Sequence, residues 1–249
     1  MELYPSCFAR FYDFIYAKIR SEVDHEYFLK KIKETHGKIL EVGVGTGRLF
    51  LDGLKAGADI YGIDVSPAML EILTAKLDRK EHYRVSQQDI RDFDMGFRFN
   101  LILAPFRVFM HLIETADQIT ALDHVYDQLV DGGTFIFDLY VPAPKLLSSG
   151  LNEVLDFEGE FKPGNFIRRY VTSKNDLIRQ VNHLTMRFDW NEGDQAYSEI
   201  WDSKMRFFFR YELEYLLEKS KFRSFSIFGD YQENPLSFES KDFVVVCRK

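Results

Sequence analysis

Three glycines and two acids carry the first chemical signal in this chain. Lys38-Ile39-Leu40-Glu41-Val42-Gly43-Val44-Gly45-Thr46-Gly47 reads as an apolar strand running into a glycine-rich turn. Ile60-Tyr61-Gly62-Ile63-Asp64 reads as a second strand that ends on an acid. Glycines let backbone approach a ligand closely, and a carboxylate at the end of the second strand can take the hydroxyls of a ribose. The spacing narrows the ligand. A nicotinamide fingerprint puts its third glycine at 48, where Arg48 stands, and the Gly-Lys-Ser/Thr of a P-loop does not follow. Glu41, just ahead of Gly43, suits a nucleoside cofactor with no pyrophosphate and with a cationic end.

A second group of residues follows a later apolar strand. Pro105-Phe106-Arg107-Val108-Phe109-Met110-His111 falls where ligands of open α/β sheets lie, at the carboxyl edge. A neutral imidazole titrates in the range useful for proton transfer, which makes His111 the candidate base; packing against the next helix is the competing reading. Arg107 can grip an anionic acceptor group or pair with Glu114 or Asp138. Cys7 and Cys247 lie near opposite ends with no Cys or His cluster beside them, so no metal site is expected.

Taken in order, these stretches resemble the class I S-adenosylmethionine-dependent methyltransferases, whose first motif is acid-x-Gly-x-Gly-x-Gly. Asp64-Val65-Ser66-Pro67-Ala68-Met69-Leu70 is similar to the second motif and Gln88-Asp89-Ile90 to the third. Asn100 to Arg107, with His111-Leu112, is similar to the fourth, and Leu129 to Asp138 to the fifth strand and its entry turn. The resemblance implies S-adenosylmethionine as cofactor, held by Glu41, Gly43 and Gly45, by Asp64, Val65 and Met69, and by Asp89, Ile90 and Pro105. In that scheme Asp64 meets the ribose and Asp89 faces the adenine amino group. Glu41 orients the glycine loop or meets the ammonium through water. Tyr12 and Tyr16 resemble the N-terminal tyrosines that close over the cofactor in small-molecule members, with Tyr16 reaching the acceptor. Phe106, Arg107, Arg168, Tyr170 and Tyr231 are the other acceptor-side candidates, with His111 as base. The implied activity is in-line transfer of a methyl group to a nitrogen or oxygen of a small molecule. The alternative is a non-catalytic nucleoside-binding or regulatory protein that keeps the fold. Ala104-Pro105-Phe106-Arg107 stands where nucleic-acid amine methyltransferases carry an Asn-Pro-Pro-Tyr type run, which disfavours that class.

The elements that must position these residues alternate between two periods. Phe11, Phe14, Ile15, Ile19 and Val23 recur at helical spacing, so Phe8 to Thr35 is predicted helical. Strands are predicted at Ile39–Val42, Ile60–Ile63, Tyr83–Ser86, Leu101–Ala104 and Thr134–Leu139. Helices are predicted from about Gly47 to Lys55, after the Ser66 cap with Pro67 at its first position, and through Ile119, Leu122 and Val125. The alternation argues for a doubly wound, Rossmann-like sheet. After Tyr140 the next clear helix is Glu212–Lys219, about 60 residues on, too far for a loop. Phe166–Val171 and Val181–Trp190 alternate between turns at Asn175-Asp176 and Glu192-Gly193-Asp194, which predicts an antiparallel meander over the cofactor end. Ser224–Phe228 and Phe243–Cys247 are expected to return as an antiparallel hairpin and complete a seven-stranded sheet, the hallmark that the resemblance implies. The layout is a helical lid at 1–36, a core at 37–141 and 211–249, and a β insert at 142–210 with Pro142-Ala143-Pro144 as its hinge.

Bulk properties bound the partners. The chain has 249 residues, 46% of them hydrophobic, enough for a large core. A net charge of -7 argues against a nucleic-acid partner, because phosphate binding needs a concentrated basic surface. With 24 Phe and 13 Tyr, an aromatic-lined pocket is expected. No apolar run approaches the roughly 20 residues of a membrane span, and Met1 to Pro5 lacks the start of a signal peptide. The expectation is a cytoplasmic chain with two free thiols and a small-molecule partner; a homodimer is compatible with it.

Overall fold

The computed structural model describes residues 4–19 and 22–249. The chain begins with helices α1 (Ser6–Ile19) and α2 (Val23–Glu34). It then alternates through β1 (Lys38–Val42), α3 (Arg48–Lys55), β2 (Asp59–Asp64), α4 (Pro67–Lys76), β3 (Val85–Gln87), β4 (Phe99–Ala104), α5 (Thr115–Gln128) and β5 (Leu129–Tyr140). After the short helix α6 (Pro144–Ser149) come four long strands, β6 (Leu151–Lys162), β7 (Asn165–Asp176), β8 (Val181–Glu192) and β9 (Gln195–Arg206). Helix α7 (Arg210–Lys219) and strands β10 (Ser224–Phe228) and β11 (Asp242–Arg248) close the chain.

The main sheet has seven strands in the order β10-β11-β5-β4-β1-β2-β3. β11 runs antiparallel to both neighbours, and the pairs among β1 to β5 are parallel. Alternating side chains feed two layers, as strand geometry requires. Leu40, Ile102, Phe135 and Val245 pack with α5 and α7 on one face. Ile39, Ile60, Leu101 and Val244 pack with α2, α3 and α4 on the other. The insert is a separate antiparallel sheet in the order β6-β7-β8-β9.

Three local expectations change. The helical unit expected at 1–36 divides its allegiance: α2 packs on the main sheet through Tyr27, Phe28 and Ile32, whereas α1 joins the insert through Phe8, Phe11 and Ile15 against Phe188, Trp190 and Trp201. Residues 1–3 and 20–21 of that unit lie outside the described residues. Tyr83 and Arg84 belong to a 3-10 turn, Arg79–Arg84, not to β3, because Arg84 reaches back 2.8 Å to Asp59 and turns the chain there. Asn175-Asp176 still pair within β7, and the turn falls at 177–180. Among the described residues no helix is long and apolar enough to cross a membrane. Both cysteines are buried and unbridged.

One close approach sets the glycine loop on the sheet. A Cβ on Gly62 of β2 would fall 2.7 Å from Val44 Cγ2 in the loop after β1. Gly62→Ala should therefore cost about 1–3 kcal/mol, the usual price of overpacking, and adding Val44→Ala should recover part of it. Thermal melts check this; a Gly62→Ala chain that melts with the parent would show that the contact is not limiting.

Candidate active site

The loop after β1 is stitched to the end of β2. The Gly43 and Val44 amides both donate to the Ile63 carbonyl, at 2.8 and 3.0 Å. The Gly45 amide donates to Asp64 Oδ2 at 2.8 Å, and the Ser66 amide to Asp64 Oδ1 at 2.8 Å. Ser66 then caps α4 by accepting from the Met69 amide. Gly43 and Gly45 have φ of 69° and 54°, a region that side chains rarely tolerate. Burial pushes the Asp64 carboxyl up; the amides of Ser66, Gly45 and Val65 oppose that rise.

This junction opens into a cavity of about 240 Å³. Val42, Gly43, Gly45, Asp64, Val65, Met69, Gln88, Asp89 and Ile90 form its wall on the main sheet. Phe106, Arg107, Val108 and His111 form the wall beyond β4. Tyr4, Phe8, Tyr12 and Tyr16 close it from the amino end, and the insert adds Leu184 and Met186 from β8 and Trp201, Ser203 and Met205 from β9. Helix α1 is fastened over the loop by Asp13, which accepts from Thr46 Oγ1 at 2.6 Å and from Lys76 Nζ at 2.5 Å.

Most of the sequence candidates thus meet in one space, including Tyr12, Gly43, Gly45, Asp64, Val65, Met69, Asp89, Ile90, Tyr16, Phe106, Arg107 and His111. Five do not line it. Glu41 is buried behind the glycine loop, with Oε2 lacking a hydrogen-bond partner. Burial, then the Asp64 charge, holds its carboxyl well above the ordinary range, against the Arg48 charge. Pro105 is buried ahead of a turn in which Phe106 and Arg107 have φ of 61° and 68°. Arg168 points to solvent and pairs with Glu158. Strand alternation turns its neighbour Arg169 inward instead, 2% exposed and forked onto Asp156 at 2.9 and 2.7 Å. Tyr170 shares the outer face and lies under the Arg187 guanidinium. Tyr231 donates to Asp138 Oδ2 at 2.8 Å and stands in a neighbouring polar cavity.

The charged groups on the wall are mostly committed. Asp89 accepts from the Arg91 amide and, in a fork, from its guanidinium. Burial would raise its pKa; Arg91 outweighs burial and holds it below the ordinary range. Arg107 pairs with Asp242 at 2.6 Å and Asp138 at 3.7 Å; Glu114, the other expected partner, takes no part. His111 Nε2 lies 3.1 Å from the Tyr4 hydroxyl. Burial, only partly offset by a hydrogen bond to the Lys204 backbone, lowers the His111 pKa from 6.5 to about 4, so the ring is neutral near pH 7.

Sequence reasoning missed Tyr4, Phe8, Val42, Gln88, Val108 and the five insert residues. The insert signal was present: Leu184 and Met186, and Trp201, Ser203 and Met205, sit at period two. Cross-strand pairing sets Leu184 opposite Ser203 and Met186 opposite Trp201. Which parity faces the cavity depends on how the insert docks.

A mainly parallel sheet whose last strand in the chain is antiparallel, with a glycine loop and an acid on adjacent strand ends, is the arrangement that the sequence resemblance implied. Residues 39–133 match the family model described as a methyltransferase domain. The chain is 26% identical over 231 residues to a glycine/sarcosine N-methyltransferase of Parasynechococcus marenigrum, covering 91% of this chain and 76% of that protein. Its fold superposes on an S-adenosylmethionine-dependent methyltransferase from Clostridium acetobutylicum with a TM-score of 0.76 at 19% identity, covering 97% of each chain. A sugar N-methyltransferase from a Streptoalloteichus species gives 0.75 at 18% identity, covering 100% of this chain and 97% of that one. At those identities the two structures speak to fold. The chain carries a methyltransferase domain on the fold of S-adenosylmethionine-dependent methyltransferases, and S-adenosylmethionine is its cofactor.

The residues present fit that cofactor. A Cβ on Gly45 would meet nothing nearer than the Gly43 carbonyl at 3.9 Å, so space lies open over the loop. Each Asp64 oxygen accepts one amide and keeps lone-pair capacity for a hydroxyl. The unpartnered Glu41 oxygen suits a nearby cationic end.

Two outcomes follow. Asp13→Ala should speed dissociation of S-adenosylhomocysteine about two- to tenfold, the range of one net hydrogen bond; stopped-flow measures it, and an unchanged rate would remove Asp13 as the fastening of α1. With the native His111 pKa depressed, the unfolded chain binds the extra proton as pH falls from 6.5 toward 4. Stability should fall over that window by roughly 3 kcal/mol from this group, and His111→Gln should flatten that part of the pH profile in denaturant melts.

Proposed function

We propose that the chain transfers the methyl group of S-adenosylmethionine to the nitrogen of a small-molecule amine. The cofactor, when bound, supplies a methyl group already activated on a sulfonium. The chain's own residues hold, orient and exclude water. Asp64 takes the ribose hydroxyls, the Gly43–Gly45 loop lies against the amino-acid portion, and Glu41 balances the ammonium from behind. Asp89 and Ile90 border the adenine. Orientation of an acceptor in a closed space can lower a displacement barrier by roughly 7–11 kcal/mol in the best cases, so few catalytic groups are required.

The observation that carries this reading is the single cavity shared by the cofactor wall and by His111, Tyr4 and the insert. A neutral His111 can accept a hydrogen bond from the acceptor without placing positive charge beside a sulfonium. Its contact with the Tyr4 hydroxyl makes that pair the base candidate. An amine that reaches the site unprotonated needs little from it, whereas a hydroxyl would need more. The named activities of the relatives, on glycine or sarcosine nitrogen and on a sugar nitrogen, support an amine. A small-molecule partner, no nucleic acid or membrane, and a cytoplasmic setting belong to the same proposal.

The test is calorimetric titration with S-adenosylhomocysteine, followed by labelled methyl transfer into fractionated amine metabolites. Asp64→Ala should weaken the titration by about 1.5–3 kcal/mol for each charge-assisted bond to ribose. Unchanged affinity would refute the ribose role, and silence from the parent chain at millimolar ligand would refute the reading.

A further inference from the structure

We propose that Asp138 and Asp242 are specificity residues that keep Arg107 from reaching substrate, so that the acceptor is an amine without a carboxylate near its nitrogen. This rests on the amine reading of the site.

Among the described residues that line the cavity, Arg107 is the sole lysine or arginine. A carboxylate-bearing acceptor would have to bind there, because guanidinium forks are the side chains best matched to carboxylates. Yet one arm of the fork is already hydrogen-bonded, and the other faces a buried carboxylate at ion-pair distance. Nη2 lies 2.6 Å from Asp242 Oδ1, Nη1 lies 3.7 Å from Asp138 Oδ2, and the Arg107 amide donates to Asp138 Oδ1 at 3.2 Å. Two carboxylates face one guanidinium. Asp138 is fully buried, and Tyr231 donates to the same Oδ2 that faces the guanidinium, so its charge cannot turn to water if Arg107 leaves. Removing the guanidinium would strand a buried charge, which is strongly unfavourable.

The backbone enforces the same arrangement. Phe106 and Arg107 occupy consecutive positive-φ positions, a strained turn seldom tolerated outside functional segments. Asp138 on β5 and Asp242 opposite Tyr140 at the start of β11 belong to paired strands of the main sheet, so both partners sit on rigid elements.

The remaining wall carries polar side chains in Gln88 and Ser203 but, among the described residues, no second cation. Asp64 and Asp89 are acids, His111 is neutral, and Tyr4, Phe8, Leu184, Met186, Trp201 and Met205 are aromatic or aliphatic. A carboxylate there would be desolvated without a counter-charge. An amine on an apolar ring meets aromatic faces and keeps its nitrogen free. Glycine and sarcosine, the acceptors named for one relative, carry a carboxylate next to the amine-bearing carbon and are the kind this cavity turns away.

The test uses the full chain saturated with S-adenosylhomocysteine and a matched pair of probes, piperidine and pipecolate, followed by calorimetry. Piperidine should bind at least about tenfold tighter, a difference of roughly 1.4 kcal/mol. Asp242→Asn should free Nη2 of Arg107 while Nη1 stays beside Asp138, and raise pipecolate affinity about tenfold, with S-adenosylhomocysteine affinity retained as the sign of a folded chain. Equal binding of the two probes by the parent, or binding of neither, overturns the proposal. So does an Asp242→Asn chain that is folded yet leaves the ratio unmoved. If that variant does not fold, the parent comparison decides alone. Failure of S-adenosylhomocysteine to bind is a separate result, which removes the methyltransferase reading and this inference with it.

Discussion

Asp64 stands between two amides, with Gly45 on one oxygen and Ser66 on the other. That carboxylate joins the loop after β1 to the cap of α4, so the ends of two neighbouring strands are held in one fixed geometry. The glycine loop needs it because Gly43 and Gly45 lie at positive φ, where flexible glycine would otherwise wander. Desolvation opposes the charge, and the backbone amides offset it. A group held at that cost, with lone pairs still free toward a cavity, is pre-organised for a ligand.

The roof is built differently from the floor. The floor is a sheet with helices on both faces, each layer packed by alternate strand residues. The roof is α1 wedged against the insert, an aromatic contact in which the Phe8 and Trp201 rings lie 4.6 Å apart and Phe8 meets Phe188 edge to face at 5.8 Å. Neither α1 nor the insert buries its apolar face alone. Each completes the other, and the cavity is the space left between them and the floor. Asp13 adds a polar tie from this roof to the loop beneath. Water exclusion at the reacting centre thus comes from the same burial that stabilises the insert.

Electrostatics inside the cavity follow from burial. His111 is kept neutral. Burial opposes the Arg107 charge as well, but Asp138, Tyr231 and Asp242 outweigh it and hold the guanidinium firmly protonated. The polar pairs of the wall therefore cancel internally and leave a surface that is mostly aromatic and aliphatic. Selectivity of such a site arises from what is already paired as much as from what is free.

Much of the floor was legible in the sequence because its signals are local. The Gly43–Gly47 turn, the Ser66-Pro67 helix start and the run of apolar strands each follow from backbone demands within a few residues. Even the β10–β11 hairpin could be placed, at Ser224–Phe228 and close to its true ends at Phe243–Cys247. What the chain alone could not decide was parity and docking. Arg168 and Arg169 differ by one strand position, and only the burial of the face that carries Ile167, Arg169 and Val171, with Ile167 in the cluster of α1 and Arg169 over Tyr16, turns the second inward. The same holds for α1, whose helical period was readable but whose partner was not, and for Arg107, whose carboxylates arrive from β5 and β11, thirty or more positions along the chain. Local conformation is set by neighbours in sequence, so the residues specify it directly. Which face closes over which is set by long-range burial and charge pairing, and those exist only once the chain has folded.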